Sequence, residues 1–185
     1  MKNLLLVFSG PSGVGKGTVV KQLLKKGNYA LSVSCTTRAP REGEIDGKDY
    51  FFIGKDEFLN LIESGGFLEY SNHFENYYGT PKKFVKDKLE KSDVILEIEV
   101  DGALQAKKSY PDAVLIMLLP PSVDELRSRL VKRGAESAEK IEKRIKRMEY
   151  EVSKKNEYDY VVINDDLKLT VAEIERIIER ERGIK

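Results

Sequence analysis

An α/β fold built on a central parallel sheet is predicted by three features of this 185-residue chain. Short apolar runs recur along it, and segments with apolar residues at helical spacing separate them. The first run also breaks into a glycine-rich turn that opens the first helical segment. Strands alternating with helices in this way pair in parallel, because each crossover helix returns the chain to the same end of the sheet.

The elements follow in order. Residues 4–9 (LLLVFS) form a continuous apolar run that ends at glycine, as a strand buried on both faces requires. Residues 16–26 place Val19, Val20, Leu23 and Leu24 on one helical face, and Gly27 supplies a stop. Residues 30–34 read as a second strand, 94–100 (VILEIEV) and 113–119 (AVLIMLL) as further buried strands, and 160–164 (YVVIN) as a last one. Helical spacing marks 81–91, 101–109, 122–133 and 137–155. It marks 170–182 as well, where Thr170 and Glu173 offer a capping box. Residues 35–80 break the rhythm with a Pro/Gly-rich loop, the strand-like DYFFI and an aromatic-rich stretch, and read as a small mixed α+β insertion. The expected division is a core of 1–34, 81–122 and 151–185, the insertion at about 35–80, and a helical lid at about 123–150.

The glycine-rich turn carries the first chemistry. Gly10 to Lys16 reads G-x-x-x-x-G-K, directly after an apolar strand and directly before an amphipathic helix. Glycines let successive backbone N–H groups converge on phosphate oxygens, and the helix N-terminus adds its partial positive charge. Lys16 supplies a mobile ammonium for the outer phosphates. The setting is that of a P-loop, so the expected fold is the three-layer P-loop NTPase type. Gly17 stands where a serine or threonine usually meets a metal ion, and Thr18 comes one place later, so Thr18 is only a weak metal candidate.

Composition narrows the partners. Lys and Arg total 32 against 31 Asp and Glu, a formal net charge of +1, so nothing here attracts nucleic acid or an anionic membrane in general. No apolar run approaches the roughly 20 residues of a membrane span. A single Cys35 excludes an internal disulfide and suits a reducing cytoplasm.

A P-loop identifies a phosphate donor and leaves the acceptor open. A GTPase would also carry an Asn-Lys-x-Asp base reader, which the sequence lacks. A kinase acting on a small phosphorylated acceptor needs a second anion site and an arginine cover that excludes water. Arg38 and Arg41, three residues apart in the insertion, provide two forks for one phosphate, and Tyr50 adds a hydroxyl donor. Arg127, Arg129, Arg133, Arg144 and Arg147 crowd the two helical segments of the lid. Glu97 and Glu99, two apart in the 94–100 run, would share one strand face at the end where open α/β sheets bind ligands.

These motifs together are specific. Ser34-x-x-x-Arg38-x-x-Arg41, Asp49-Tyr50-Phe51-Phe52, Phe67-Leu68-Glu69 and Asn76-Tyr77-Tyr78-Gly79-Thr80 resemble the guanylate kinase family. With the P-loop, Pro120-Pro121-Ser122 and Asn164-Asp165-Asp166, the resemblance runs along nearly the whole chain. It implies Mg2+-dependent phosphoryl transfer from ATP to GMP. It implies ATP contacts from Gly10, Pro11, Ser12, Gly13, Val14, Gly15, Lys16, Gly17, Thr18 and Asn164. Arg38, Arg41, Tyr50 and Tyr78 would hold the GMP phosphate, while Ser34, Glu69, Thr80 and Glu97 would meet the guanine. Glu99 would face Mg2+ through water, and Lys16, Arg129, Arg133 and Arg144 would stabilise the transferring phosphoryl group. Two rivals stand beside this reading: a guanylate-kinase-like module that binds protein and has lost catalysis, and a kinase for another phosphorylated acceptor. The first would be degraded in the P-loop and lid; the second would have no use for Glu69 and Thr80.

Overall fold

The computed structural model describes residues 2–73, 75–132 and 138–183. Five parallel strands form the central sheet: β1 (Leu5–Ser9), β2 (Tyr29–Leu31), β7 (Asp93–Glu97), β8 (Val114–Leu119) and β9 (Tyr160–Ile163). Their spatial order is β2-β7-β1-β8-β9, so β1 lies at the centre, between strands that follow it in sequence. The crevice at the carboxyl end of β1 is therefore the switch point at which open α/β sheets take ligands.

Alternation along β1 builds the layers. Leu6 and Phe8 face helices α1 (Lys16–Lys26) and α7 (Leu167–Glu181), packing with Val19, Leu23, Ile174 and Ile178. Leu5 and Val7 face the opposite side, where Val85 of α3 (Lys82–Leu89) and Ala103 of α4 (Val100–Ser109) complete the core. This is the expected three-layer α/β arrangement.

The 35–80 segment forms a second, four-stranded sheet in the order β4-β3-β6-β5. It comprises β3 (Cys35–Thr36), β4 (Phe51–Phe52), β5 (Phe67–His73) and β6 (Asn76–Pro81), with helix α2 (Lys55–Glu63) beside it. Cys35, Phe58 and Phe67 make its own small core, and burial pushes the Cys35 thiol up to about 12, which leaves it unreactive at neutral pH. Helices α5 (Val123–Lys132) and α6 (Ala138–Ser153) pack through Leu126, Leu130, Ile141, Ile145 and Met148. Ser122 opens α5 by accepting the Glu125 amide at 3.1 Å. Among the described residues no helix is long and apolar enough to cross a membrane.

Three sequence expectations are corrected. The second strand is Tyr29–Leu31 rather than 30–34. The third ends at Glu97: Glu99 is extended at the N-cap of α4, its carbonyl accepting from Ala103 N at 2.9 Å, so Glu97 and Glu99 do not share a strand face. The last helix starts at Leu167, because Asp166 caps it by accepting the amides of Lys168 and Leu169. Asp166 is the better cap, satisfying two N–H groups at once. Thr170 is consequently a buried helical residue whose hydroxyl donates to Ile163 O at 3.3 Å, and the Thr170/Glu173 capping box does not form.

Candidate active site

The loop after β1 is shaped by glycines that no other residue could replace. Gly10 has φ +136°, and a Cβ there would stand 2.1 Å from the Leu118 carbonyl oxygen of β8. Gly15, at φ 100° and ψ 19°, is the left-handed N-cap of α1. Lys16 extends back over the loop, its Nζ donating to Gly10 O at 2.6 Å and Pro11 O at 3.3 Å. The loop is held from behind. Asn164 is buried, and its Nδ2 donates to Val14 O at 2.7 Å. Arg129 reaches the same place, donating to Asn164 O at 2.9 Å and Val14 O at 3.4 Å, with its Nε on Glu125 at 2.9 Å. Arg144 of α6 donates to Ser12 Oγ. Two of the three arginines expected to cover the site thus meet the P-loop; Arg133 lies outside the described residues.

In the second sheet, Arg38 takes both oxygens of Glu44, at 2.8 and 3.0 Å, and lies 5.6 Å from the Tyr50 ring centroid. Glu44 also accepts the Arg41 amide at 2.7 Å. The Arg38 guanidinium, helped by that amide, holds the Glu44 carboxyl below its ordinary range. The Tyr50 and Tyr78 rings meet edge-on at 6.0 Å. Arg38, Tyr50 and Tyr78 are therefore neighbours, and Arg41 is tied to the same place by its backbone amide on Glu44. Ser34 stands at its edge, its carbonyl accepting Phe51 N at 2.9 Å.

Glu69 and Thr80 form a buried pair on β5 and β6, with Thr80 Oγ1 donating to Glu69 Oε1 at 2.6 Å. The carboxylate abuts the first turn of α4, where a Cβ on Gly102 would come within 2.9 Å of Glu69 Oε2. A helix N-terminus is a favourable place for a negative charge.

Glu97 ends β7 beside the first turn of α1, its oxygens 3.4 and 3.5 Å from where a Cβ on Gly17 would stand. It is exposed at the mouth of the site, yet the chain crowding it removes enough water to push its carboxyl up, against the pull of Lys16 and Lys21. Glu99 is also exposed, with Arg147 Nη2 at 3.8 Å from its Oε2. Thr18 is exposed on α1. Among the described residues no group of three His, Cys, Asp or Glu could form a metal cage.

Several contributors were not visible from spacing. Glu44 acts through its loop neighbours Arg38 and Arg41, Gly102 through the Glu69 carboxylate that the fold brings to it, and Glu151, buried on α6, through Arg147 Nε at 3.4 Å. Arg147 links α6 to α4, donating to Asp101 Oδ2 at 2.9 Å, and Tyr150 donates to Asp101 too. Burial pushes the Asp101 carboxyl up, but those two donors outweigh it and hold the group below its usual range.

A parallel-sheet core with a glycine loop at its switch point, and a buried carboxylate with an arginine cluster in a second sheet, defines a nucleotide-binding protein of the P-loop NTPase fold. Comparison with known proteins narrows this. The guanylate kinase family profile matches residues 2–181. Guanylate kinases from two strains of Streptococcus thermophilus, CNRZ 1066 and ATCC BAA-250 / LMG 18311, are each 52% identical over 183 residues, covering 97% of this chain and 88% of theirs. The crystal structure of guanylate kinase from Anaplasma phagocytophilum superposes with a TM-score of 0.74 at 36% identity, covering 97% of this chain and 86% of that one. The chain belongs to the guanylate kinase family.

Proposed function

We propose that this chain is an ATP:GMP phosphotransferase, a nucleoside monophosphate kinase that converts ATP and GMP to ADP and GDP in purine nucleotide metabolism. The observation that carries this reading is the buried Glu69–Thr80 pair against the N-terminus of α4. Guanine offers N1–H and N2–H2 to a carboxylate; adenine would leave the buried charge unpaired.

In this reading residues 35–80 are the GMP-binding insertion and 123–150 the lid. Ser34, Thr80 and Glu97 complete the guanine contacts around Glu69. Arg38, Arg41, Tyr50 and Tyr78 bind the GMP phosphate, with Glu44 keeping Arg38 pre-oriented. The loop from Gly10 to Thr18 cradles the ATP phosphates. Asn164 serves ATP by fixing the Val14 carbonyl and hence the loop.

Transfer needs no general base, because the attacking phosphate oxygen of GMP is already ionised. The chain's work is to align two anions and to neutralise charge as it spreads over the moving phosphoryl group. Lys16, Arg129, Arg133 and Arg144 supply that positive charge, and lid closure excludes water that would otherwise accept the phosphoryl group. Glu99 is the residue that would hold Mg2+, through water, with Thr18 a weaker candidate, and the ion when bound offsets the charge of the ATP phosphates. We assign the work to the cytoplasm, where a buried reduced Cys35 is at home.

The test is ADP release from ATP and Mg2+ with GMP, AMP, CMP or UMP offered separately, for the wild type and a Glu69→Ala variant. The reading requires strong turnover with GMP alone and its collapse in the variant. Equal turnover with all four acceptors would remove the guanine assignment. No turnover from folded protein that still binds GMP would point to a non-catalytic module.

A further inference from the structure

β5 is an outer strand of the second sheet. Every other amide along such a strand points away from its neighbour in the ladder and needs a partner from elsewhere. Tyr70 finds one: its N–H donates to Gln105 Oε1 of α4 at 3.2 Å. A side chain of the central core thus closes the edge of the second sheet, and it does so at the residue that follows Glu69.

The two residues before Tyr70 meet the same helix. The register of β5 on β6 slips by one between Phe67, opposite Pro81, and Glu69, opposite Thr80, so Leu68 is an extra residue in the strand. A bulge of this kind breaks the alternation of side chains and re-aims those beside it. Phe67 joins the small core of the second sheet, whereas Leu68 joins the main core with Val100 and Ala103 of α4. Glu69 Oε2 then stands in front of Gly102, three residues before Gln105 on the helix. Leu68, Glu69 and Tyr70 are seated on α4 in succession, by packing, by close approach and by a hydrogen bond. Packing has no direction, while a hydrogen bond weakens steeply away from its geometry. Gln105 is therefore the contact that fixes β5 along the helix.

We propose that Gln105 is a positioning residue for Glu69, holding the backbone beside it in register so that the carboxylate meets guanine from one defined place. Guanine presents N1–H and N2–H2 side by side, and a carboxylate accepts from both only when it faces the pair squarely. Hypoxanthine offers N1–H alone and tolerates a displaced acceptor. Gln105 thereby governs how well GMP is told from IMP, although it touches neither. This inference rests on the reading of the chain as a GMP kinase.

The test compares Gln105→Met, which keeps the length and removes the acceptor, with Gln105→Glu, which keeps an acceptor oxygen. Steady-state kinetics with ATP, GMP and IMP varied in turn supply the readouts, with thermal unfolding as a check on folding. In Gln105→Met, KM for GMP should rise about fivefold while KM for ATP stays within about twofold of wild type. The preference for GMP over IMP, as a ratio of kcat/KM values, should fall about threefold, and Gln105→Glu should restore most of both. Four results would each overturn the proposal: wild-type KM for GMP in Gln105→Met, equal rises in both KM values, an unchanged GMP-to-IMP ratio, or equal impairment in Gln105→Glu. Should Gln105→Met not fold, Gln105→Ala is judged by the same criteria, because the position is partly exposed and truncation there admits water. A wild type that binds GMP without transferring a phosphoryl group would lose the kinase reading alone. Calorimetric titration with GMP and IMP then decides for Gln105, and equal loss of both, or loss of neither, overturns its role.

Discussion

Glu69 Oε2 fills the space in front of Gly102, so closely that one added carbon on Gly102 would sit 2.9 Å from it. The carboxylate is thus fixed from two sides, by that helix turn and by the Thr80 hydroxyl at 2.6 Å. Gly102→Ala should leave the fold and ATP binding intact while shifting Glu69 off its position. The displaced acceptor should cost about 1–2 kcal/mol of GMP binding, roughly a tenfold rise in KM for GMP. Steady-state kinetics with each nucleotide varied would show it; an equal rise in KM for ATP would contradict the assignment.

Gly10 makes a harsher demand. With φ at +136° and a prospective Cβ 2.1 Å from Leu118 O, Gly10→Ala has no local escape. Either the loop moves off β8 or the strand end shifts. The expected loss is about 3 kcal/mol or more of stability, measured by urea unfolding, together with loss of ATP binding. Full stability in the variant would mean the loop is not held where it is described.

Asn164 and Arg129 share the Val14 carbonyl, at 2.7 and 3.4 Å. Asn164→Ala would remove the shorter bond inside a buried site and should cost about 1–3 kcal/mol of stability. Because the bond fixes the P-loop, KM for ATP should rise with little change in KM for GMP. A change confined to GMP would argue against this role.

Glu151 yields a prediction about acidity. Its carboxyl is raised in the folded state, chiefly by burial, so the fold favours the protonated form. Below the unfolded value of about 4.3 the group is protonated in both states and costs nothing. As pH rises past that value and through the higher folded one, ionisation drains stability. Glu151→Gln should therefore melt above the wild type at pH 7, with the difference vanishing toward pH 4. A variant that melts lower at pH 7 would mean Arg147 and Lys16 outweigh burial.

The apolar periods and the glycine loop made the layers legible, because a strand buried on both faces and a helix with one apolar stripe leave distinct patterns. The run from Leu5 to Phe8 is a case where pattern and structure coincide. The strand holding Glu97 and Glu99 was read too long, since nothing in VILEIEV marks where the backbone turns to cap α4. The cap at Asp166 was missed for a related reason: Thr170 and Glu173 satisfy the spacing, but only the fold shows which hydroxyl is already bonded to Ile163. Arg38, Arg41, Glu69 and Thr80 were singled out through their motif. Gly102 was not, because the Glu69 carboxylate that makes it matter arrives from a distant part of the chain, and Glu44 was not, because its pairing with Arg38 depends on how the loop between them turns.

β1 is paired on both sides and buried at every residue from Leu5 to Ser9. Its amides can meet solvent deuterium only when the whole sheet opens, whereas the second sheet, with its small core and its two-residue strands β3 and β4, can open locally. Lys16 lies seven residues past the end of that central strand, and Glu69 sits in the sheet with the lower barrier. Deuterium uptake would then separate the two halves of the proposed site in time: slow at the strand that leads into the glycine loop, fast around Glu69.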